Sequence, residues 1–214
     1  MSLTIDPKWI LDPDALAVLR HWDEKPGSLV LEVGANDNHT ANVLAANGHQ
    51  VLGVDLRRHT FGDKAMINYP RILMDFVQSR IVFHEGQFDA VVSTSAIEHF
   101  GMRTYAEATV EDDDYDCKAM DAVYDILRPG GTCYITVPYG REFIVNKPHW
   151  RVYDALTLQE RIVRKFGGVQ LKEFFASGPV LGWHDGEILS QDFAGSWSGE
   201  PPHVAVLLKM RKIV

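Results

Sequence analysis

The sequence predicts an α/β fold, and three observations support this prediction. Short apolar runs of strand length alternate with segments of helical periodicity along the 214 residues. Apolar residues make up 46% of the chain, which is enough for one full core, so we take 1–214 as a single domain. The stretch Leu29–Arg57 has the pattern strand, turn, helix, strand, which is a βαβ unit.

Composition and charge narrow the range of partners. The net charge of −8 disfavours nucleic acid, because phosphate binding requires a basic surface. No apolar run approaches membrane-spanning length and no signal peptide opens the chain, so we expect no membrane partner. Cys117 and Cys133 lack metal-ligand spacing and favour a reducing, cytoplasmic location. We expect no metal, and a homo-oligomer stays open.

The βαβ unit has the features of an adenosine site. The apolar run Leu29–Val33 meets Gly34, and a turn of small residues lets a ligand approach the backbone. The second run, Val51–Val54, ends in Asp55, whose carboxylate can accept hydrogen bonds from both ribose hydroxyls. The turn lacks the second and third glycines of a dinucleotide fingerprint, so it would hold a pyrophosphate poorly. S-adenosylmethionine, which has a ribose but no phosphate, fits this pattern better.

The sequence Glu32-Val33-Gly34-Ala35-Asn36-Asp37-Asn38 resembles the first motif of the class I S-adenosylmethionine-dependent methyltransferases, [DE]-x-G-x-G-x-G. The acid and the first glycine match, whereas asparagines, which tolerate left-handed backbone, replace the other two glycines. The alternative is a Rossmann-like turn that serves another nucleotide. The cofactor contacts predicted from this unit are Glu32, Gly34, Ala35, Asn36, Asp55 and Leu56.

The segments on either side of this unit have their own predicted roles. Residues 1–26 are expected to form a packing segment with one apolar helix face. Arg71–Phe76 has the composition of a third strand. In the methyltransferase pattern, an acid at the end of this strand holds the adenine amino group, which makes Asp75 and its neighbour Phe76 cofactor contacts. Alternatively, Asp75 is an ordinary polar strand end.

Phe88–Val92 is predicted as the fourth strand, and the turn after it resembles the FD-x-V-x-x-x-x-x-[IL]-EH stretch of the small-molecule methyltransferases called type 11. In that family the turn lies beside the methionine part of the cofactor, which makes Ser93 and Thr94 cofactor contacts. The [DN]-P-P-[YFW] tetrapeptide of nucleic-acid amino methyltransferases is missing. His99 is the titratable group of this turn and a candidate general base. Alternatively, it caps local backbone carbonyls.

An acidic run and a glycine-rich turn bracket the next helix. The acids of residues 111–116 suit the positive end of the helix dipole, and a divalent-metal site is the alternative. Leu127–Gly131 resembles the L-[RK]-P-G-G landmark of the same family. It is expected to end the helix sharply before a fifth strand, Thr132–Val137.

The segment after the fifth strand, Pro138–Tyr153, is irregular and rich in aromatic and cationic residues. Ligands of open α/β sheets lie beyond the carboxyl ends of the strands, and this segment leaves such an end. The candidate substrate contacts here are Tyr139, Arg141, Arg151 and Tyr153. His149 is a second candidate base. Alternatively, Trp150 and Tyr153 anchor the loop.

The rest of the chain predicts a helix and two strands. Thr157 and Glu160 have the spacing of a capping box. Val169–Phe175 and His203–Met210 have the composition of strands. Between them, residues 176–202 form a long predicted loop on the substrate side, with Trp183 as a further substrate contact. The alternative is a surface loop that packs on the core or on a second subunit.

The resemblance implies a Rossmann-like three-layer sandwich with a seven-stranded, mostly parallel sheet in the order 3-2-1-4-5-7-6 and an antiparallel last strand. It also implies transfer of the methyl group of S-adenosylmethionine to a small-molecule acceptor, and we expect O-methylation of a sugar or metabolite hydroxyl. Two other classes stay open. One is a nicotinamide-dependent oxidoreductase, which the missing glycines and the missing Tyr-x-x-x-Lys pair disfavour. The other is a non-catalytic cofactor-binding protein.

Overall fold

A computed structural model describes residues 3–5, 11–35, 40–57, 69–178, 184, 186–197 and 204–213. The strands are β1 (Leu29–Val33), β2 (Gln50–Asp55), β3 (Arg71–Leu73), β4 (Phe88–Thr94), β5 (Leu127–Pro138), β6 (Ile144–Asn146), β7 (Trp150–Val152), β8 (Val169–Ala176), β9 (Ile188–Leu189) and β10 (Val204–Arg211). The α-helices are α1 (Pro13–Arg20), α2 (Thr40–Ala46), α3 (Tyr115–Ile126), α4 (Ala155–Thr157) and α5 (Gln191–Ser196). Short 3₁₀ segments cover Phe76–Ile81 and Ile97–His99, and a π-helical segment covers Leu158–Val163. No helix in the described part of the chain is long and apolar enough to cross a bilayer.

Eight strands form one sheet in the order β3-β2-β1-β4-β5-β10-β8-β9, and β6 and β7 form a separate hairpin. The first five strands of this order run parallel. Strand β10 is antiparallel to both of its neighbours, β5 and β8. The α/β class and the predicted order of seven strands are therefore confirmed. The eighth strand, β9, lies at the edge and within the predicted loop 176–202, which also contains α5, so part of that loop is regular structure.

Apolar clusters cover both faces of the sheet. Residues of α1 and α2 pack with Val30 on one face, whereas residues of α3 pack with Leu31 and Val33 on the other. Successive residues of β1 thus enter different cores, and all but the first are buried. A strand that is buried on both faces needs apolar residues at nearly every position, as the sequence of β1 has.

Two strand boundaries differ from the sequence prediction. Strand β3 ends at Leu73, because Asp75 instead begins the following 3₁₀ segment, accepting a hydrogen bond from the backbone N–H of Val77 (2.9 Å). Strand β5 begins at Leu127, one residue after α3 ends. Gly130 has φ +74 within it, so the expected turn is a kink in a strand and not a separate loop.

The predicted capping box at Thr157 and Glu160 is wrong. Asp154 is the N-cap of α4: its Oδ1 accepts the backbone N–H of Thr157 (2.8 Å), and the Thr157 hydroxyl accepts the N–H of Asp154 (3.1 Å). Asp caps a helix as well as Thr does, and here the Asp comes three residues earlier.

Candidate active site

A cavity opens at the carboxyl edge of the parallel strands, where ligands of such sheets bind. Its volume is about 1120 Å³ when the part open to solvent is counted. Six predicted cofactor contacts line it, together with the candidate base His99: Gly34, Asp55, Leu56, Asp75, Phe76 and Thr94. These residues follow or end four different strands, so the sheet brings them together from distant parts of the chain.

Two tight turns form the part of the wall between β1 and β4. Gly34 has φ +79, and a Cβ at this position would lie 2.3 Å from the Cβ of Ala96. The backbone N–H groups of Gly34 and Ala35 both donate to the carbonyl of Val54 (2.9 and 3.2 Å), which fixes the turn against β2. On the facing turn, Ser95 has φ 45 and lines the cavity. A side chain at position 34 would therefore push the two turns apart.

Asp55 lies on the wall with its carboxylate held in a fixed direction. The backbone N–H of Arg57 donates to Oδ1 (2.7 Å), and the guanidinium Nε of the same residue is 3.3 Å from that atom. The guanidinium in turn lies over the ring of Tyr105, 4.1 Å from its centroid. Nη2 of Arg57 is also 3.4 Å from Oδ2. A carboxylate has about four lone-pair sites, so Asp55 keeps one for a ribose hydroxyl, and a second hydroxyl would replace one of the two long guanidinium contacts.

Asp75 is held by two donors of its own. Its Oδ1 accepts the N–H of Val77, and its Oδ2 accepts the hydroxyl of Tyr115 (2.6 Å), the first residue of α3. Burial and the bond to Asp75 raise the pKa of Tyr115 well above its ordinary value, so the hydroxyl stays protonated and donates. Each oxygen keeps a lone pair that an amino group could use. Asp75 therefore caps a segment and also lines the cavity.

His99 lies on the cavity wall in the 3₁₀ turn after β4. Its Nδ1 is 2.5 Å from the carbonyl oxygen of His149, and a carbonyl only accepts, so Nδ1 carries the proton. Burial lowers the pKa of His99, which keeps the ring neutral and leaves a lone pair on Nε2, 3.8 Å from Oε1 of the buried Glu98 carboxyl. The predicted alternative, a contact with a backbone carbonyl, is thus present, but the carbonyl belongs to a residue 50 positions away.

Three predicted cofactor contacts lie behind the wall and are not among its lining residues. Glu32 accepts a hydrogen bond from the Tyr69 hydroxyl (3.0 Å), and burial raises the pKa of Glu32 to about 8. The Ser93 hydroxyl donates to the carbonyl of Val33 (3.1 Å), and Ala35 is buried beside β2. These residues support the turns of the cavity. Asn36 lies outside the described residues.

The cations and aromatics after β5 do not converge on this cavity. Arg151 is fully buried and donates to four backbone carbonyls. The Tyr153 hydroxyl donates to buried Asp116 (2.8 Å), and the Tyr139 ring packs on Phe174. These contacts agree with the alternative prediction, in which the segment is anchored to the fold.

The remaining predicted contacts are also away from the wall or undescribed. Arg141 is exposed and pairs with Glu142 (3.2 Å). His149 contributes its backbone carbonyl to His99, and its ring lies against Trp150. Trp183 lies outside the described residues. Their positions give the predicted substrate roles of Tyr139, Arg141, Arg151 and Tyr153, and the predicted base role of His149, no support.

Sequence reasoning missed several wall residues. Asp12, Arg57, Tyr105 and Tyr115 all line the cavity. The position of Arg57 could have been predicted, because it follows Asp55 by two residues and can form hydrogen bonds back to its carboxylate. The other three come from segments with no motif, and only the fold brings them to the wall.

Two buried acids lie next to this site. Asp14 of α1 accepts a hydrogen bond from the Ser177 hydroxyl (2.8 Å), and Glu98 precedes His99 in its turn. Burial raises the pKa of each carboxyl to about 7, and the charge of Glu98 adds to the rise at Asp14. Both acids therefore titrate near neutral pH.

The charges on the cavity wall fit S-adenosylmethionine. The charged side chains on the wall are mainly acidic, with Asp12, Asp55 and Asp75 against the single guanidinium of Arg57 among the described lining residues. Such a wall favours a sulfonium cation and repels a pyrophosphate. In the described part of the chain, no group of three His, Cys, Asp or Glu side chains is arranged to hold a metal ion.

Comparison with known proteins matches a family model to about half of the chain. Residues 31–135 match the family model of the type 11 methyltransferases, described as a methyltransferase domain. No curated protein matches the chain in sequence.

Solved structures share the fold at low identity. One is the Burkholderia thailandensis 1,6-didemethyltoxoflavin-N1-methyltransferase with bound 1,6-didemethyltoxoflavin and S-adenosylhomocysteine (16% identity, 94% of this chain and 77% of that chain, TM-score 0.60). A second is the Haemonchus contortus phosphoethanolamine N-methyltransferase 2 in complex with S-adenosyl-L-methionine (19%, 97% and 55%, 0.61). A third is an Archaeoglobus fulgidus methyltransferase that depends on S-adenosylmethionine (14%, 92% and 92%, 0.63). These structures show the fold, and the matched family model identifies residues 31–135 as a methyltransferase domain of the type 11 family, with S-adenosylmethionine as its cofactor.

Proposed function

We propose that the protein methylates a hydroxyl group of a small-molecule acceptor, with His99 as the general base. The observation that carries this proposal is the contact between His99 Nδ1 and the His149 carbonyl, which leaves a basic Nε2 on a residue of the cavity wall. A hydroxyl is a weak nucleophile until its proton is taken, so a neutral imidazole is the group that such an acceptor needs. The net charge of −8 and the concave shape of the site favour a small acceptor over nucleic acid.

The wall residues have separate roles in this proposal. Asp55 accepts the ribose hydroxyls, Asp75 accepts the adenine amino group, and Thr94 and Ser95 lie where the methionine part is expected. When bound, S-adenosylmethionine supplies a methyl group on its sulfonium sulfur, and the neutral thioether that remains is a good leaving group. The Nε2 of His99 takes the proton of the acceptor hydroxyl, and the wall holds the reactants in line.

The structural neighbours give a second acceptor class to test. Two of them are named as N-methyltransferases, acting on 1,6-didemethyltoxoflavin and on phosphoethanolamine. They share only the fold with this chain, so a nitrogen acceptor is an alternative outcome. An oligomeric state and a cytoplasmic location stay predictions.

The first experiment asks which cofactor is bound. S-adenosylhomocysteine should raise the melting temperature of the protein by mass action, and NADPH should not. A shift with NADPH and none with S-adenosylhomocysteine would return the chain to the oxidoreductase class.

The second experiment tests the base. His99→Asn keeps an amide N–H that can donate to the His149 carbonyl but removes Nε2. We expect S-adenosylhomocysteine affinity to stay within about twofold, while methyl transfer falls by about 10²–10⁴-fold. The control is His84→Asn, because His84 is exposed and away from the cavity wall.

Methyl-labelled S-adenosylmethionine and a panel of small hydroxyl compounds, each beside its amine analogue, supply the acceptors. Transfer by His99→Asn at the wild-type rate would remove His99 as the base. Transfer only to the amines would replace the hydroxyl with a nitrogen acceptor. Cofactor binding without transfer to any compound would favour the non-catalytic alternative.

A further inference from the structure

The hairpin formed by β6 and β7 reaches the turn that carries His99. Its tip presents the carbonyls of Pro148 and His149, and the Thr104 hydroxyl donates to both (2.7 and 2.8 Å). The same His149 carbonyl accepts a hydrogen bond from His99 Nδ1–H (2.5 Å). The tip of the hairpin is thus tied on one side to Thr104 and on the other to the imidazole.

Arg151, in β7, holds the backbone on both sides of His99. Its Nη1 donates to the carbonyls of Glu98 (3.2 Å) and Phe100 (2.6 Å), the residues directly before and after the histidine. Its Nη2 donates to the carbonyls of Asp112 (3.3 Å) and Asp113 (3.2 Å), next to the start of α3. One guanidinium therefore joins two segments beside the cavity through four backbone acceptors.

The charge of this guanidinium is compensated inside the fold. Its side chain is fully buried, and its Nε lies 3.8 Å from a carboxylate oxygen of Asp116, which is also buried. Asp116 also binds Arg161 (2.6 Å) and Tyr153 (2.8 Å). The Nε–H makes no hydrogen bond among the described residues. The Nη1 and Nη2 donors of this buried cation meet four carbonyls, so any other position of the guanidinium would leave still more donors unsatisfied.

We infer that Arg151 is a positioning residue for His99: it fixes the backbone of the His99 turn, while the His149 carbonyl at the hairpin tip fixes the imidazole in the Nδ1–H tautomer. This inference rests on the proposed base role of His99. The segment after β5 thus acts on the site from behind, through the Arg151 guanidinium and the His149 carbonyl, and not through the contacts with substrate that its composition predicts.

The chemistry of the guanidinium sets the key variant. Arginine presents five N–H donors in a planar fork, whereas lysine has one nitrogen and cannot reach carbonyls on two segments at once. Arg151→Lys keeps the positive charge near Asp116 but loses most of the four bonds. The matched control is Arg164→Lys, since Arg164 pairs with Asp121 at the surface of the same fold.

The readout is the imidazole of His99, observed by ¹⁵N NMR in the protein saturated with S-adenosylhomocysteine. The wild type and Arg164→Lys should show one neutral tautomer with the proton on Nδ1. Arg151→Lys should show a mixture of the two tautomers. His149→Ala, which removes the ring but keeps the carbonyl, should show the wild-type tautomer.

Kinetics give the second readout. Arg151→Lys should keep S-adenosylhomocysteine affinity within about threefold but lower the turnover number by about 10–100-fold with little change in KM, because a misplaced base affects the chemical step. A variant that keeps a single Nδ1–H tautomer and wild-type turnover would overturn the inference. Equal effects of Arg164→Lys would show a merely structural role and would also overturn it.

A further variant covers the case in which Arg151→Lys does not fold. Thr104→Val removes the two hydroxyl bonds to the hairpin tip, and it should lower the fraction of the Nδ1–H tautomer. An unchanged tautomer in Thr104→Val would then contradict the inference. The tautomer measurements need no acceptor, so they stand even if His99→Asn shows that the histidine is not the base.

Discussion

The contact between the turns after β1 and β4 predicts a large difference between two glycine substitutions. Gly34 and Gly48 both have positive φ, +79 and +86, so alanine is strained at either position. A Cβ at position 34 would lie 2.3 Å from the Cβ of Ala96, whereas a Cβ at position 48 would meet nothing within 4 Å. Gly48→Ala therefore measures the backbone strain alone, and Gly34→Ala measures the strain plus the clash.

The expected magnitudes follow from these two contributions. Left-handed backbone costs a residue with a Cβ about 1–2 kcal/mol, in both variants. The clash adds about 1–3 kcal/mol at position 34, as overpacking does in other proteins. A domain of this size loses about 2–4 °C of melting temperature per kcal/mol, so Gly34→Ala should melt about 2–12 °C below Gly48→Ala.

Thermal unfolding and calorimetry with S-adenosylhomocysteine test both parts of this prediction. Gly34→Ala should bind more weakly because the turns move apart at the cavity wall, whereas Gly48→Ala should bind normally. Adding Ala96→Gly to Gly34→Ala should restore part of the loss, because the next atom, the Ala96 Cα, is 3.8 Å away. Equal melting temperatures for the two single variants, or no rescue, would refute the reasoning.

Three further outcomes are expected. Asp55→Asn should weaken S-adenosylhomocysteine binding by about 1.5–3 kcal/mol, or about 10–150-fold, measured by calorimetry. Asp75→Asn should cost less, because only the bond from one adenine amino group is weakened there, whereas Asp55 faces two ribose hydroxyls, and a wild-type affinity for Asp55→Asn would remove Asp55 from the site. Burial raises the pKa of Asp14 from 3.8 to about 7, so its contribution to stability is present below about pH 4 and is lost as the pH rises to about 7. The melting temperature of Asp14→Asn relative to wild type should therefore rise between pH 4 and pH 8, and a constant difference would contradict the raised pKa of this carboxyl.

Much of the cofactor end of the site could be predicted from local sequence. Gly34 and Asp55 belong to one βαβ unit, whose turn and strand end can be located from periodicity and turn residues alone. The order of seven strands also follows once the family resemblance is seen. The turn and the strand end depend on neighbours close in the sequence, which is why they could be predicted from it, whereas the strand order came from the resemblance.

The support behind the wall depends on contacts that are distant in sequence. Arg151 meets carbonyls 38 to 53 residues away, and His99 meets one 50 residues away. A cation in a loop predicts a ligand contact when it is exposed, and the sequence contains no sign that Arg151 is buried. Glu32 shows the same limit, since its motif predicts a cofactor contact whereas burial places its carboxyl under Tyr69.

The position of β10 in the sheet has a consequence for how the chain assembles. It pairs with β5 on one side and β8 on the other, although it follows both in the chain. During synthesis, β5 and β8 therefore each keep one unpaired edge until residues 204–211 have emerged from the ribosome. Until then β9, which pairs with β8, is not joined to the rest of the sheet. Unpaired apolar edges are where chains associate wrongly, so the nascent protein is exposed to wrong association during this interval.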